Sequence, residues 1–352
     1  MYQRVMHCVK NSPVDGYLIL SEANRYLLSK KAGCCFPGAV LVTGTEIFYA
    51  TFSRNIEQLQ NAYPEYTVMR GGFDEIAKEC GKHSIRTIGY ESSSVSKMAY
   101  DEICVSFHGC DLIDMPGFVE NIRAVKTPEE IELLQKAAKL SDCAYEEFLN
   151  HLKPGMTEKE ARTVFDHILM KRGADEFSFS TLLASGPRTF LPHSAPTERI
   201  IQRGDLILMD FGVVLNGYCS DTSRTVVMGK ASQLQKERYQ LVLDAQEEAL
   251  AKIHAGMSCE EADQIARSKI SDQSPEGCYD HSLGHGIGVE VHELPYLRPG
   301  NNSLLAENMA VSVEPGLYLK GWGGIRIEDV LIVKKERGLV LSSAPKSELL
   351  EL

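Results

Sequence analysis

The later part of this chain repeats itself at a spacing of about one hundred residues, and that limits the folds open to it. "KPGMTEKEA" at 153–161 returns as "HAGMSCEEA" at 254–262, an offset of 101. Both copies contain a capping box, Thr157 with Glu160 and Ser258 with Glu261. In such a box the hydroxyl and the acid each satisfy a backbone N–H at a helix start, so each copy opens a helix. Further along, "LILMDFG" at 206–212 is echoed by "MAVSVEPG" at 309–316, with Asp210 opposite Glu314 at an offset of 104. Both copies keep the order helix, strand, acid, glycine, second acid. Chance likeness between two helix starts and two strands is the alternative, and the preserved order weakens it. Residues 123–352 read as two related halves folded into one domain.

At 352 residues the chain exceeds what one hydrophobic core usually supports, so a separate domain is expected before the duplicated one. Within residues 1–122, "DGYLIL", "AVLVT", "EIFYA" and "TIGYE" are apolar runs of strand length. The amphipathic stretches around Ile56, Ile76 and Met98 read as helices, and the alternation predicts a small α/β domain. It holds no cluster of histidines and acids, so it positions or covers something rather than performing chemistry. Just past the boundary, Thr127 caps a helix, Pro128 takes its first position and Glu130 closes a capping box. That helix is predicted to end before Lys153-Pro154-Gly155.

A formal charge of −11 argues against nucleic acid as a partner, because neutralising phosphates needs a basic surface. No apolar run reaches the ~18 residues of a membrane span. The opening "MYQRVMHCVKNSPVDGY" lacks the apolar centre of a signal peptide. The ten cysteines include no C-x-x-C pair, which disfavours a zinc knuckle or a dithiol redox motif. Scattered thiols fit a reducing compartment, and the cytoplasm is the expected location.

Asp210 follows the apolar run Leu206-Ile207-Leu208-Met209, so its carboxylate arrives where charge is costly. Asn216-Gly217 reads as a two-residue hairpin turn, which pairs residues whose numbers sum to 433. Asp221 then faces Gly212, and Asp210 lies two residues from Gly212 on the same face. The two aspartates become diagonal neighbours about 7–8 Å apart at Cα. In "EPGLYLKGWGGIRIED" a loop centred on Gly321 sets Glu314 opposite Glu328. Four acids gathered in this way repel one another unless something cationic lies among them. Arginine is one candidate, with Arg224 and Arg326 nearby, and a salt-bridge cluster is the bland alternative.

"HSLGHGIGVEVHE" at 281–293 weighs against that alternative, because His281, His285 and His292 fall within twelve residues beside glycines that admit close backbone approach. The glycines lack G-x-G-x-x-G spacing with no lysine following, and "DFG" stands without an H-R-D loop, so nucleotide-loop and kinase readings fail. Four carboxylates with one imidazole suit a pair of divalent metals. An oxygen-rich set favours Mn2+, Co2+ or Fe2+, with Zn2+ still open.

Taken together, "DFG…YCSDTSRT", "GHGIGVEVHE", "VEPG" and "IRIED" resemble the pita-bread metallopeptidases, and within them the aminopeptidase P and prolidase branch, over nearly the whole chain. The resemblance implies an α/β N-terminal domain followed by an α+β pita-bread catalytic domain with internal pseudo-two-fold duplication. It implies metal ligation by Asp210, Asp221, His285, Glu314 and Glu328, with two divalent ions, manganese foremost and cobalt, iron or zinc as alternatives. Glu314 would orient the attacking water and relay its proton, His292 would meet the oxyanion, and His193 in "FLPHSAP" would contact substrate beside it. His281 would contact the proline side, and Arg326 would hold a carboxylate by paired hydrogen bonds. The implied substrates are small peptides with proline in second position, and the implied assembly is a homodimer. Phe177, Phe179, Tyr296 and Trp322 are candidate walls for the proline pocket.

Two positions depart from, or add to, that pattern. Tyr296 stands where many dipeptide-cutting relatives carry an arginine for the substrate's C-terminal carboxylate, with Arg298 as a substitute. Cys219, two residues before Asp221, lies on the same strand face, which would bring its thiol toward the metals, with a buried inert cysteine as the competing reading. A broader-specificity aminopeptidase and a non-catalytic peptide-binding scaffold are the competing functional readings.

Overall fold

The computed structural model describes residues 2–32, 35–274 and 279–352. Cys34 and Cys278 lie outside the described residues, and the other eight cysteines are free thiols. The chain divides into two units, Met1–Arg123 and Ala124–Leu352.

The first unit is built on a mixed sheet of β1 (Gly16–Ile19), β2 (Gly38–Thr43), β3 (Ile47–Thr51), β4 (Thr67–Arg70), β5 (Thr87–Tyr90) and β6 (Asp111–Asp114), in the order β4-β3-β2-β1-β5-β6. Its inner strands β1, β2, β3 and β5 are apolar on both faces because both faces are covered. Tyr17, Ile19, Val40, Val42 and Tyr49 pack with residues of α1 (Tyr2–Lys10), α2 (Glu22–Ser29), α3 (Ser53–Ala62) and α6 (Phe118–Ala124). The alternate residues Leu18, Leu41, Phe48, Ala50 and Ile88 pack with α4 (Phe73–Lys82) and α5 (Lys97–Ser106). The edge strands β4 and β6 escape a sequence reading because "TVMR" and "DLID" are short and half exposed, so neither has a clear apolar face.

The second unit contains two helical pairs and two nested hairpins. Helix α7 (Pro128–Leu149) begins with the Thr127–Glu130 capping box, and α8 (Glu158–Lys171) begins with Thr157–Glu160. Helices α9 (Gln233–Lys252) and α10 (Cys259–Gln273) form the second pair, α10 opening with the Ser258–Glu261 box. The first pair packs with Leu183, Ile207, Met209, Phe211 and Val226, and the second with Leu283, Leu297, Val311, Val313 and Ile325. Each half therefore buries its own apolar layer behind its own hairpin.

In the first hairpin β9 (Leu206–Phe211) pairs with β12 (Thr222–Val227), and β10 (Val213–Leu215) with β11 (Tyr218–Cys219). Thr222↔Phe211 and Leu215↔Tyr218 both keep the register of 433. Asn216 and Gly217, with φ of 51° and 75°, supply the left-handed turn. Strand β7 (Glu176–Phe177) borders β10, and β8 (Leu182–Ser185) borders β9. In the second hairpin β15 (Ala310–Val313) pairs with β18 (Asp329–Ile332), and β16 (Gly316–Leu319) with β17 (Gly323–Arg326). Val313↔Asp329 and Gly316↔Arg326 share one register, which sets Glu314 opposite Glu328. Strands β13 (Gly284–Gly286), β14 (Glu293–Leu297) and β19 (Leu339–Val340) complete the sheet around β15 and β18.

Candidate active site

Asp221, Glu314 and Glu328 sit where the ladders break between inner and outer strand pairs, and Asp210 is the next-to-last residue of β9, beside the break. A break frees the side chain from the alternating packing while the flanking strands fix its Cα. All four reach one cavity of about 440 Å3, which is also lined by His193, His281, His285, His292, Arg326, Phe179 and Tyr296.

His285 stands in β13 between two glycines that nothing larger can replace. A Cβ at Gly284 would lie 1.9 Å from the Ser312 carbonyl oxygen, and one at Gly286 would lie 2.1 Å from that of Leu294. The His285 Nδ1 is 3.0 Å from the Gly286 carbonyl oxygen, which can only accept, so the proton belongs on that nitrogen. Nε2 then faces Asp221 Oδ2 at 3.6 Å and Glu314 Oε1 at 3.3 Å. A lone pair aimed at two carboxylates requires positive charge, carried either by a second ring proton or by a cation between them.

Ligand atoms of Asp221, His285 and Glu328 all lie within 4.8 Å of one another. Burial, then the charges of Glu328 and Asp210, push Asp221 well above the usual carboxylate range. Burial followed by Glu314 and Asp210 does the same to Glu328, and burial raises Asp210 against the pull of Arg326. Glu314 also feels burial, but the His285 hydrogen bond and charge outweigh it and hold its carboxyl at about 2. Asp210 Oδ1 and Glu328 Oε1 are buried with no hydrogen-bond partner among the described residues. Two orphaned carboxylate oxygens, crowded acids and an imidazole lone pair fit divalent cations.

Arg326 uses its donors on the protein. Nη2 donates to Asp210 Oδ2 at 2.7 Å, Nε to Ser223 Oγ at 2.7 Å, and Nη1 to the Pro192 carbonyl and the Tyr318 hydroxyl, both at 3.0 Å. It therefore reaches its carboxylate through one N–H, not the expected pair, because the other donors are spread along the wall. Ser223 Oγ in turn donates to Glu328 Oε2 at 2.7 Å, and Ser312 Oγ donates to Glu314 Oε1 at 3.1 Å. Ser223, Ser312 and Tyr318 were absent from the sequence-derived set. The register of 433 places Ser223 opposite Asp210 and would have found it, whereas Ser312 and Tyr318 flank the strand break at Glu314, where simple alternation does not apply.

Burial lowers both His281 and His292 below the ordinary imidazole range and keeps them neutral. Phe179 and Tyr296 line the cavity, whereas Phe177 packs against the first half's core and Trp322 lies under Arg238 at 4.2 Å. Cys219 is buried among apolar side chains, with Sγ donating to the Val289 carbonyl at 3.5 Å. Strand pairing stops between Cys219 and Thr222, so alternation does not carry the thiol to the face of Asp221. A smaller cavity of about 300 Å3 shares Pro192 and His281 with the first and adds Phe190, Leu191, Asp280 and Tyr318.

Against known proteins, the profile of metallopeptidase family M24 matches residues 132–335, and that of the creatinase/prolidase N-terminal domain matches residues 2–125. The chain is 30% identical to a Xaa-Pro dipeptidase of Pyrococcus horikoshii over 95% of its own length and 94% of that protein. Among solved structures, a Xaa-Pro dipeptidase from Bacillus anthracis superposes with a TM-score of 0.94 at 35% identity, covering 100% of this chain and 99% of the other. An X-Pro aminopeptidase from Thermotoga maritima gives 0.88 at 34% identity, covering 96% and 98%.

Proposed function

The chain belongs to metallopeptidase family M24, and from that premise we propose that it cleaves the bond between an N-terminal residue and proline in small peptides. Asp210, Asp221, His285, Glu314 and Glu328 would hold two divalent ions. Cations held there would balance the acids and would supply an acidified water, so that hydroxide would be available near neutral pH. The observation that carries the reading is the close meeting of Asp221, His285 and Glu328, with Asp210 and Glu314 on the same cavity wall.

Water adds to the amide carbonyl carbon, the C–N bond breaks, and one proton must reach the proline nitrogen. Glu314, kept ionised beside His285, accepts the proton from water and delivers it to that nitrogen. Neutral His292 donates a ring N–H to the carbonyl oxygen as charge builds there, with His193 contacting substrate beside it. The His281 nitrogens are turned to the Ser282 carbonyl at 2.8 Å and the Tyr318 hydroxyl at 3.2 Å. Its ring face is therefore what it offers to the apolar proline ring. Proline has a fixed φ and no N–H, so its pocket needs shape and apolar walls, which Phe179 and Tyr296 help to supply.

The test is release of free amino acid from a Xaa-Pro dipeptide and a Xaa-Pro-Xaa tripeptide, with Mn2+, Co2+ or Zn2+ added to purified protein. Metal-dependent cleavage of either substrate supports the reading. Absence of cleavage of both, with His285→Ala binding metal as wild type does, overturns it. The cavity beyond Pro192 and His281 favours peptides that continue past proline, so the tripeptide is expected to be a substrate. Manganese as the native ion, a homodimer and a cytoplasmic location complete the proposal. Metal analysis, light scattering and fractionation test them in turn. No helix among the described residues is long and apolar enough to cross a membrane.

A further inference from the structure

Two histidines of the cavity sit on irregular segments, and each segment is tied from behind by a buried carboxylate that does not line the cavity. Glu158, the first residue of α8, is fully buried. Its Oε1 accepts from the Ser185 backbone N–H and hydroxyl, both at 2.8 Å, and its Oε2 from the Thr197 N–H at 2.9 Å and hydroxyl at 2.7 Å. Arg188 Nε lies 3.1 Å from the same carboxylate, and its Nη2 donates to Ser194 Oγ and the Ala195 carbonyl, both at 2.7 Å. One carboxylate thus gathers both ends of the 185–197 loop, and its arginine clamps the residues next to His193.

In the second half the same role falls to different residues. Asp263 of α10 is fully buried and accepts from the Leu283 N–H at 2.9 Å. Arg267 pairs with both Asp263 oxygens, at 2.5 and 2.8 Å, and donates to the Tyr279 carbonyl at 2.5 Å and the His281 carbonyl at 2.8 Å. At the repeat offset, Glu158 corresponds to buried Cys259, and the Asp263–Arg267 pair corresponds to Arg162–Asp166, an ion pair of reversed polarity at 3.2 Å. The loop-holding bonds differ, since Glu158 takes them in the first half and the Asp263–Arg267 pair in the second. Two different devices reaching the same end point to the histidine-bearing loops as what is being held.

We infer that Glu158 and the Asp263–Arg267 pair are positioning residues, the first setting His193 and the second setting His281 against substrate. The inference rests on the proposed peptidase reading of the cavity. Misplacing a contact by about 1 Å can cost up to about 100-fold in rate, so effects of that order are expected although none of these residues touches substrate.

The test is a pair of crossed double-mutant cycles in the full-length metal-loaded protein, with bound metal and Tm measured for every variant. Glu158→Gln is expected to lower kcat/KM by about 10- to 100-fold at unchanged metal content, and by less than about threefold in a His193→Ala background. Combined with His281→Ala, its effect should multiply in full. Arg267→Lys should show the reverse pattern, coupled to His281 and independent of His193. Full multiplication of Glu158→Gln with His193→Ala, or wild-type kcat/KM in Glu158→Gln, overturns the inference. If Glu158→Gln does not fold, Arg188→Lys serves the same cycle with the same expected coupling. Hydrogen exchange separates failure of this inference from failure of the peptidase reading. Even without any peptidase activity, Glu158→Gln should speed exchange in residues 186–197 and Arg267→Lys in 279–283. Uniform acceleration across the unit, or none in these loops, counts against the inference.

Discussion

The two halves of the catalytic unit share a helix pair and a nested hairpin, yet their acids meet differently. In the second half Glu314 faces Glu328 across the ladder. In the first half Asp210 faces Ser223, and Asp221 lies on the diagonal. That shift of two residues puts a hydroxyl where the second half has a carboxylate. The hydroxyl is used across the halves, donating to Glu328 and accepting from Arg326, which also holds Asp210. A carboxylate at position 223 would instead add a fifth acid to the crowd. The difference teaches that duplication supplied the scaffold, while the site arose where the copies diverged and began to hold each other's acids.

If the halves divide the labour in this way, matched neutral substitutions should fail differently. Glu314→Gln is expected to lower kcat by about 10²- to 10⁴-fold, because the proton relay is lost. Asp210→Asn should weaken metal binding, so that excess metal recovers part of its activity. Metal titrations followed by both activity and direct metal analysis distinguish the two. Glu314 would hold metal as well, so recovery of its kcat at saturating metal to the level of Asp210→Asn would show that the two positions do the same work.

The next largest contrast lies one residue beyond each second acid. Asp329 is fully buried and accepts from Arg224 at 2.7 Å, Gln246 at 2.8 Å and Lys346 at 2.5 Å. Its counterpart Thr222 donates to the Asp221 carbonyl at 2.8 Å and lies 3.5 Å from the Ser342 hydroxyl. Asp329→Ala strands a buried arginine and should cost about 3–5 kcal/mol in urea unfolding. Thr222→Ala should cost about 0.5–1.5 kcal/mol, the usual worth of one hydrogen bond. Similar losses at the two sites would remove the asymmetry.

Much of this was readable in advance because backbone chemistry announces itself locally. Asn216-Gly217 fixes one register and the glycines around Gly321 the other, and from those two turns the convergence of four acids follows. The capping boxes at Thr127, Thr157 and Ser258 mark three helix starts for the same reason. What stayed hidden depends on distant partners. Glu158 looks like an ordinary first-turn acid, since its donors lie 27 to 39 residues away. Trp322 suggests a pocket wall until Arg238 is found stacked on it. Of the two readings of Cys219, the buried inert one fits, because alternation assumes an unbroken strand and the strand breaks before Asp221.

The turns themselves offer a smaller comparison, in which the halves should agree. Gly217 and Gly321 have φ of 75° and 83°, a region that costs a side-chain-bearing residue about 1–2 kcal/mol. Gly217→Val and Gly321→Val are each expected to lower stability by that amount. A clear inequality between them would mean that one hairpin tolerates a change of turn and the other does not.

The smallest effect concerns an ion pair that joins the helices of each half. Glu147 accepts from Arg172 at 2.8 Å, and Glu248, at the repeat offset of 101, accepts from Lys252 at 2.5 Å and Lys269 at 2.7 Å. Hydrogen bonds from Lys252 and Lys269 hold Glu248 at about 2, down from its ordinary 4.5. A depressed carboxylate pKa means that the folded state binds the proton less readily than the unfolded chain. The stabilisation is therefore complete above the unfolded value and is lost as pH falls from 4.5 toward about 2. Both lysines keep the pair near solvent, so Glu248→Gln should cost no more than about 0.2–1 kcal/mol at neutral pH, and less in high salt. The Tm difference between wild type and Glu248→Gln should narrow as the buffer is taken from neutral to about pH 3.5. A gap that stays constant over that range would assign the loss to helix packing, and the matching of the two interhelical pairs would then be one of shape without charge.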